Sequence, residues 1–274
     1  MPTTTSTPVG LAQTVARPAP RRSTRASAAK LYDVPVSNNG ARVRIALYAK
    51  GLVPDRVEIV SPSELGGIKS EEYMALQPKG QMPLLVTESG LPIWESEVIL
   101  GYVLDKYDGE GPSFTLDTAE ERALSTLSTK VFDTFIQPVQ GCMYRKSPSA
   151  EQRAAELKVI DENLHILESL CSADGPYFVG GRPCKTDMSL FPSFVFFEFM
   201  LETQFGWPDA FYDKPKLRAW YEYLKAGEGS DFAGVTARVY GEIFDALKAW
   251  EEGGRWEVQG IKEHLEVDLK WVYP

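Results

Sequence analysis

Short apolar runs broken by turn residues occupy the chain from Lys30 to Asp108, and beyond Leu116 the apolar positions recur at helical spacing. The first part predicts strands over 30–36, 57–60, 84–86 and 91–94. Between them, Ala41 to Lys50 predicts a helix that turns Val43 and Leu47 inward, and Glu71 to Leu76 a shorter one. Val98, Ile99, Val103 and Leu104 predict a third helix, opened by Glu95 and Ser96. Gly109-Glu110-Gly111-Pro112 reads as a linker. These breaks place an α/β domain at residues 30–108, a connection at 109–115 and an all-helical domain with a C-terminal extension at 116–274.

In the helical part, Thr118 with Glu121 and Ser149 with Gln152 each have the spacing of a capping box, in which side chain and backbone satisfy one another reciprocally. The first precedes Leu124, Leu127, Val131 and Phe135, and the second Leu157, Ile160, Leu164 and Leu167. Met188 to Leu201 is apolar on nearly every face, which predicts a central buried helix. With Glu198 inside it, this run is too short to cross a bilayer. Further helices are predicted over 220–225 and 231–252, the latter with Val235, Val239, Ile243, Leu247 and Trp250 inward. From Gly253 the chain is polar with scattered aromatics, suited to covering a cavity mouth or a partner surface.

A chain of 274 residues with 43% hydrophobic content supports two modest cores. Its net charge of −9 argues against nucleic acid and against anionic membranes as partners. Cys142, Cys171 and Cys184 are scattered and form no CxxC, so neither a disulfide framework nor a redox pair is expected. With only His165 and His264 to join them, no metal is expected. Residues 1–29 differ from the rest: Arg17, Arg21, Arg22 and Arg25 stand among Ser, Thr, Ala and Pro, without an acidic residue before Asp33. That composition suits a transit peptide cut near Ala26 to Ala29 and directed to the chloroplast, the alternatives being mitochondrion or, for a tail without an address, cytoplasm.

Candidate chemistry concentrates between Gln77 and Ser96. Gly80-Gln81-Met82-Pro83 turns the chain into a strand through a proline, which cannot donate to a ladder. If the Met82-Pro83 bond is cis, the N–H and C=O of Met82 face outward, free to pair with an extended ligand. Ser96 and the amides behind it lie at a helix N-terminus, which suits a carboxylate.

Gln81-Met82-Pro83 and Glu95-Ser96, in this order and spacing, resemble the glutathione-binding domain of the soluble glutathione transferases. Pro35-Val36-Ser37 and Arg42-Val43 extend the resemblance, which covers roughly residues 30 to 225. It implies a thioredoxin-like α/β domain that binds glutathione, an all-α C-terminal domain that supplies an apolar acceptor site, and a homodimer. Gln81, Met82 and Pro83 are then the backbone partners of the cysteinyl part. Glu95 and Ser96 hold the γ-glutamyl end, and Lys69 in GIKSEEY holds the glycine carboxylate. Ser37 lies where the phi, tau and zeta classes carry a catalytic serine.

A free thiol with a pKa near 8.5 is mostly protonated at neutral pH, so glutathione must be activated as a thiolate. One hydroxyl donated to a charged group supplies about 1.5–3 kcal/mol and a helix N-terminus about 0.3–1 more, enough for a shift of roughly 2 units. Tyr32 competes for this role because other classes use a strand tyrosine, but its offset from Pro35 sends it to the other face of the strand. No cysteine stands between Lys30 and Cys142 to form a mixed disulfide. Phe132, Phe135 and Tyr144 are candidates to line the acceptor site. Cys184 with Asp187 replaces the Ser/Thr and Asp cap of the family's buried helix, a weaker acceptor for the reciprocal bond. The expected reaction is conjugation of glutathione to a small apolar electrophile. The alternatives are a zeta-like isomerase and a non-catalytic carrier or assembly module.

Overall fold

The computed structural model describes residues 28–273, so all but the last two of the residues expected as a transit peptide lie outside the described residues. A four-stranded sheet of order β2-β1-β3-β4 is built from β1 (Ala29–Tyr32), β2 (Val57–Val60), β3 (Leu84–Val86) and β4 (Pro92–Trp94). β2 is parallel to β1 and the other pairings are antiparallel, with Leu31 opposite Leu85 and Leu85 opposite Ile93. Alternation divides the two faces. Ala29, Leu31, Val57 and Leu85 join the main core with α1 (Asn38–Ala49) and α3 (Ser96–Lys106). Tyr32, Val60 and Leu84 pack on the other side with Tyr73 of α2 (Glu71–Leu76).

β1 is shorter than predicted. After Tyr32 the chain bends through Val34 and Pro35, and Ser37 N–H donates to the Val34 carbonyl at 3.0 Å. α1 starts three residues earlier than its apolar spacing indicates. Ser37 caps it, accepting the Gly40 N–H at 3.0 Å, and so draws Asn38 to Gly40 into the helix despite their poor propensity. α1 is buried along most of its length between the sheet and the helical half, packing on α3, α6 (Lys185–Phe197) and α8 (Asp231–Glu252).

The helical half continues with α4 (Ala119–Val131), α5 (Ala150–Leu170), α6, α7 (Pro215–Ala226) and α8. The box at Thr118 is reciprocal, with bonds of 3.1 and 2.9 Å. At Ser149 only half of the box forms, because the Gln152 amide turns to Glu156 at 2.9 Å instead of back to the cap. α6 buries every residue from Thr186 to Phe197. Asp187 anchors its start, accepting the N–H groups of Phe178, Cys184 and the Trp220 indole, each at 2.8 Å. Burial pushes this carboxyl up from its ordinary value.

The C-terminal extension folds back on the helical half as α9 (Arg255–Val258) and α10 (Ile261–Leu265). Trp256 and Ile261 enter the core. The buried Arg153 guanidinium donates to the Gln259 carbonyl at 3.2 Å and His264 Nδ1 at 3.0 Å. Trp207 Nε1 donates to the Trp271 carbonyl at 2.8 Å. The three cysteines are buried, and burial raises each thiol pKa. Among the described residues no helix is long and apolar enough to cross a membrane, and no cluster of three or more His, Cys, Asp or Glu has a metal-holding arrangement.

Candidate functional site

A cavity of about 740 Å³ opens between the sheet and the helical half. Ser37, Lys69, Gln81, Met82, Pro83, Glu95 and Ser96 all line it. Three separate segments bring them there: the turn into α1, the Ile68 to Pro83 stretch around α2, and the junction of β4 with α3.

Ser37 is half-buried at the start of α1. Its oxygen accepts one bond as the cap, leaving the hydroxyl proton to donate. The bend that delivers it is fixed from below by Arg44, which donates to the carbonyls of Val34 at 2.9 Å and Pro35 at 2.7 Å and pairs with Asp33. Arg44 also reaches Glu242 of α8 at 3.1 Å, tying this bend to the helical half. Asp33 has no solvent contact, and burial outweighs the Arg44 attraction, so its carboxyl is raised to about 6. A side chain at position 40 would collide with this carboxylate, since a Cβ there meets Asp33 Oδ1 at 1.9 Å.

The Met82-Pro83 bond is cis. Among the described residues neither backbone group of Met82 takes part in a hydrogen bond. The loop before it is pinned by Tyr73, whose hydroxyl donates to the Gln81 carbonyl at 2.8 Å. Gly80 adopts φ +56, and a Cβ there would come within 2.6 Å of the Ile68 carbonyl oxygen. Position 80 therefore needs glycine on both counts. Lys69 is exposed and donates to the Lys79 carbonyl at 3.2 Å.

Glu95 stands at φ 71, a left-handed backbone that a non-glycine residue seldom adopts and that costs about 1–3 kcal/mol. It heads α3 without capping it, so its carboxylate projects free of the helix, with Lys79 Nζ 3.7 Å away. Both partners are more than half exposed, so that contact is weak. Ser96 behind it is buried at the first turn.

Of the aromatics expected at an acceptor site, only Tyr144 lines the cavity, in contact with Phe196 at 4.9 Å between ring centroids. Phe132 is instead enclosed in the core beside Phe197 and Arg42. Phe135 points to solvent, 53% exposed. The cause is the choice of face: Ser125, Ser128, Thr129, Phe132 and Ile136 turn inward at helical spacing, which leaves Leu127 and Phe135 on the solvent side. Tyr32 lies away from the cavity in the small cluster with Tyr73.

Several lining residues were not legible from spacing. Asn38 donates across to Gln140 at 3.2 Å and Ser193 at 3.1 Å, and Gln137 donates to Asn39 at 3.2 Å, so polar bonds join the two halves at the cavity floor. Asn38 and Asn39 read as part of a joining turn in sequence. Their amides after a cap serine were the available signal. Trp250 and Arg255 reach the cavity from α8 and the extension.

Two family models match, "Glutathione S-transferase, N-terminal domain" over residues 31–111 and "Glutathione S-transferase, C-terminal domain" over 150–222. Maleylacetoacetate isomerase of Rattus norvegicus is 30% identical over 164 residues, 59% of this chain and 74% of that protein. The chain belongs to the glutathione S-transferase family. Glutathione S-transferase 3 of Zea mays is 29% identical over 218 residues, covering 72% of this chain and 89% of that one. A rice glutathione S-transferase solved in complex with glutathione superposes with a TM-score of 0.64 at 25% identity, over 84% of this chain and 99% of that one. Glutathione transferase F7 of Populus trichocarpa gives 0.63 at 23% identity over 78% and 99%, a likeness of fold. The two family models end at residue 222, before Trp250 and Arg255, so this part of the cavity wall lies outside them.

Proposed function

We propose that the chain is a serine-type glutathione transferase, which binds glutathione along Lys69, Gln81, Met82, Pro83, Glu95 and Ser96 and uses Ser37 to stabilise its thiolate. One observation carries this reading: a capping hydroxyl with its proton free to donate shares a single cavity with the unpaired Met82 backbone at the entry to β3, an exposed carboxylate and a helix N-terminus. Each matches a group of the tripeptide. Glu95 attracts the α-ammonium, the α3 N-terminus and Ser96 attract the α-carboxylate, and Met82 pairs with the cysteinyl amide. The thiolate then attacks an electrophile held against Tyr144 and Phe196, forming a carbon–sulfur bond as the leaving group departs.

The test is a pH titration of the ultraviolet thiolate absorbance of glutathione bound to the protein. A thiolate pKa well below that of free glutathione is expected. Binding without a shift would overturn the catalytic reading and leave a carrier. The relationship to maleylacetoacetate isomerase favours a second reading, in which glutathione adds to a substrate and leaves again. Counting glutathione separates the two, because conjugation consumes one molecule per turnover and isomerisation none. Homodimeric assembly and import into the chloroplast through residues 1–29 complete the proposal, the first resting on family likeness and the second on composition alone.

A further inference from the structure

Two arginines stand on the cavity wall contributed by the helical half, and neither has an acidic partner among the described residues. Arg145 follows the Gln140–Met143 turn and lies over the Tyr144 ring, 5.5 Å from its centroid. Arg255 opens α9 and stacks on Trp250, its guanidinium carbon 3.8 Å from the ring centroid. Both line the cavity. Arg255 Nε is buried and has no hydrogen-bond partner.

Carboxylates are abundant at a net charge of −9, and the other arginines among the described residues have polar partners: Arg42, Arg44 and Arg218 pair with acids, and Arg122 and Arg153 donate to backbone carbonyls. A buried donor left unpaired costs about 1–3 kcal/mol, and two cations without a counter-ion repel. Burial and the neighbouring Arg145 both push the Arg255 pKa down from its ordinary value. Stacking on Trp250 restrains the guanidinium at the cavity wall, and its planar fork matches a carboxylate. The apolar rings of Tyr144, Phe196 and Trp250 lie beside it.

We propose that the acceptor half of the cavity takes a substrate bearing a carboxylate on an aromatic or otherwise planar apolar body, with Arg145 and Arg255 binding the carboxylate. This rests on the transferase reading for the reaction, but not for the binding. For a chloro-nitroaromatic carboxylate, the thiolate sulfur forms a bond to the ring carbon and chloride leaves with the electron pair of the broken bond. No oxidant or reductant is involved.

The experiment compares 3,5-dinitrobenzoate with the neutral 3,5-dinitrobenzamide, measured by quenching of tryptophan fluorescence in the presence of glutathione, on the full chain and on Arg255→Gln and Arg145→Gln. The benzoate is expected to bind at least about tenfold tighter than the amide. Each variant should erode that ratio several-fold, and added salt should weaken the benzoate alone. Equal affinities, or a ratio that survives both substitutions, would overturn the proposal. Turnover of the 4-chloro derivatives distinguishes the two readings. Preferential benzoate binding without turnover upholds the anion site and removes the transferase, whereas turnover of both derivatives with equal affinities does the reverse.

Discussion

Ser37 has two duties that different substitutions separate. As the α1 cap it accepts the Gly40 N–H at 3.0 Å; as a donor it would face the glutathione sulfur. Ser37→Ala removes both and is expected to cost about 1 kcal/mol of stability through the cap. It should also raise the bound thiolate pKa by about 1–2 units, the equivalent of about 1.5–3 kcal/mol for a bond to a charged group. Ser37→Gly removes the donor but, at a cap position, costs only a few tenths of a kcal/mol. Ser37→Thr keeps both.

Stability by urea titration should thus rank Thr and Gly near the parent with Ala below, while the thiolate pKa should group Gly with Ala. The pKa is a better assay than turnover. Lowering it from about 8.5 to about 6.5 raises the thiolate fraction at pH 7 about 25-fold, but lower basicity weakens the nucleophile and leaves roughly a threefold gain in rate. A thiolate pKa unchanged in both Gly and Ala would refute the donor role.

Asp33 itself supplies a pH signature. Its carboxyl is raised to about 6 from 3.8, so between those values the native state binds more protons than the unfolded chain. The stability from this group is present at low pH and falls by about 3 kcal/mol as pH rises through that window. Asp33→Asn should flatten this part of the urea-midpoint profile, and an unaltered slope would contradict the burial argument. At α6, Asp187→Ala strands three buried donors, at about 1–3 kcal/mol each, a loss on the scale of the whole stability of a domain. Asp187→Asn keeps an oxygen for Phe178 and Trp220 and loses mainly the Cys184 bond, about 1–3 kcal/mol. Denaturation followed by tryptophan fluorescence should separate the two variants clearly, and equal stabilities would show that the carboxylate is not the anchor.

The strands at 57–60 and 84–86, the helices at 71–76 and 231–252, and the convergence of Ser37, Lys69, Gln81 to Pro83, Glu95 and Ser96 on one cavity were legible because local signals and long-range packing agree there. A proline at a strand entry, a serine before a helix and a positive turn at Gly80 are written in single residues. The acceptor wall was not. The face that α4 buries carries the polar Ser125, Ser128 and Thr129 ahead of Phe132 and Ile136, so the apolar repeat through Leu127 and Phe135 marked the solvent side instead. Trp250 was read as inward-facing, which is half right, since it packs on Trp256 and also borders the cavity. Arg255 sits in a stretch without apolar periodicity, where only the return of the chain onto α5 gives it a place.

That return divides the labour of the cavity between two stretches of chain that can change independently. The proposed glutathione site lies between residues 37 and 96, inside the N-terminal family model, while Arg255 on the opposite wall comes from the segment after Gly253. On the proposed reading, a change in the segment after Gly253 alters the acceptor wall while the residues between 37 and 96 stay as they are. For the same reason, a tag or fusion joined at the C-terminus is attached to the stretch that carries Arg255 and closes part of the cavity wall.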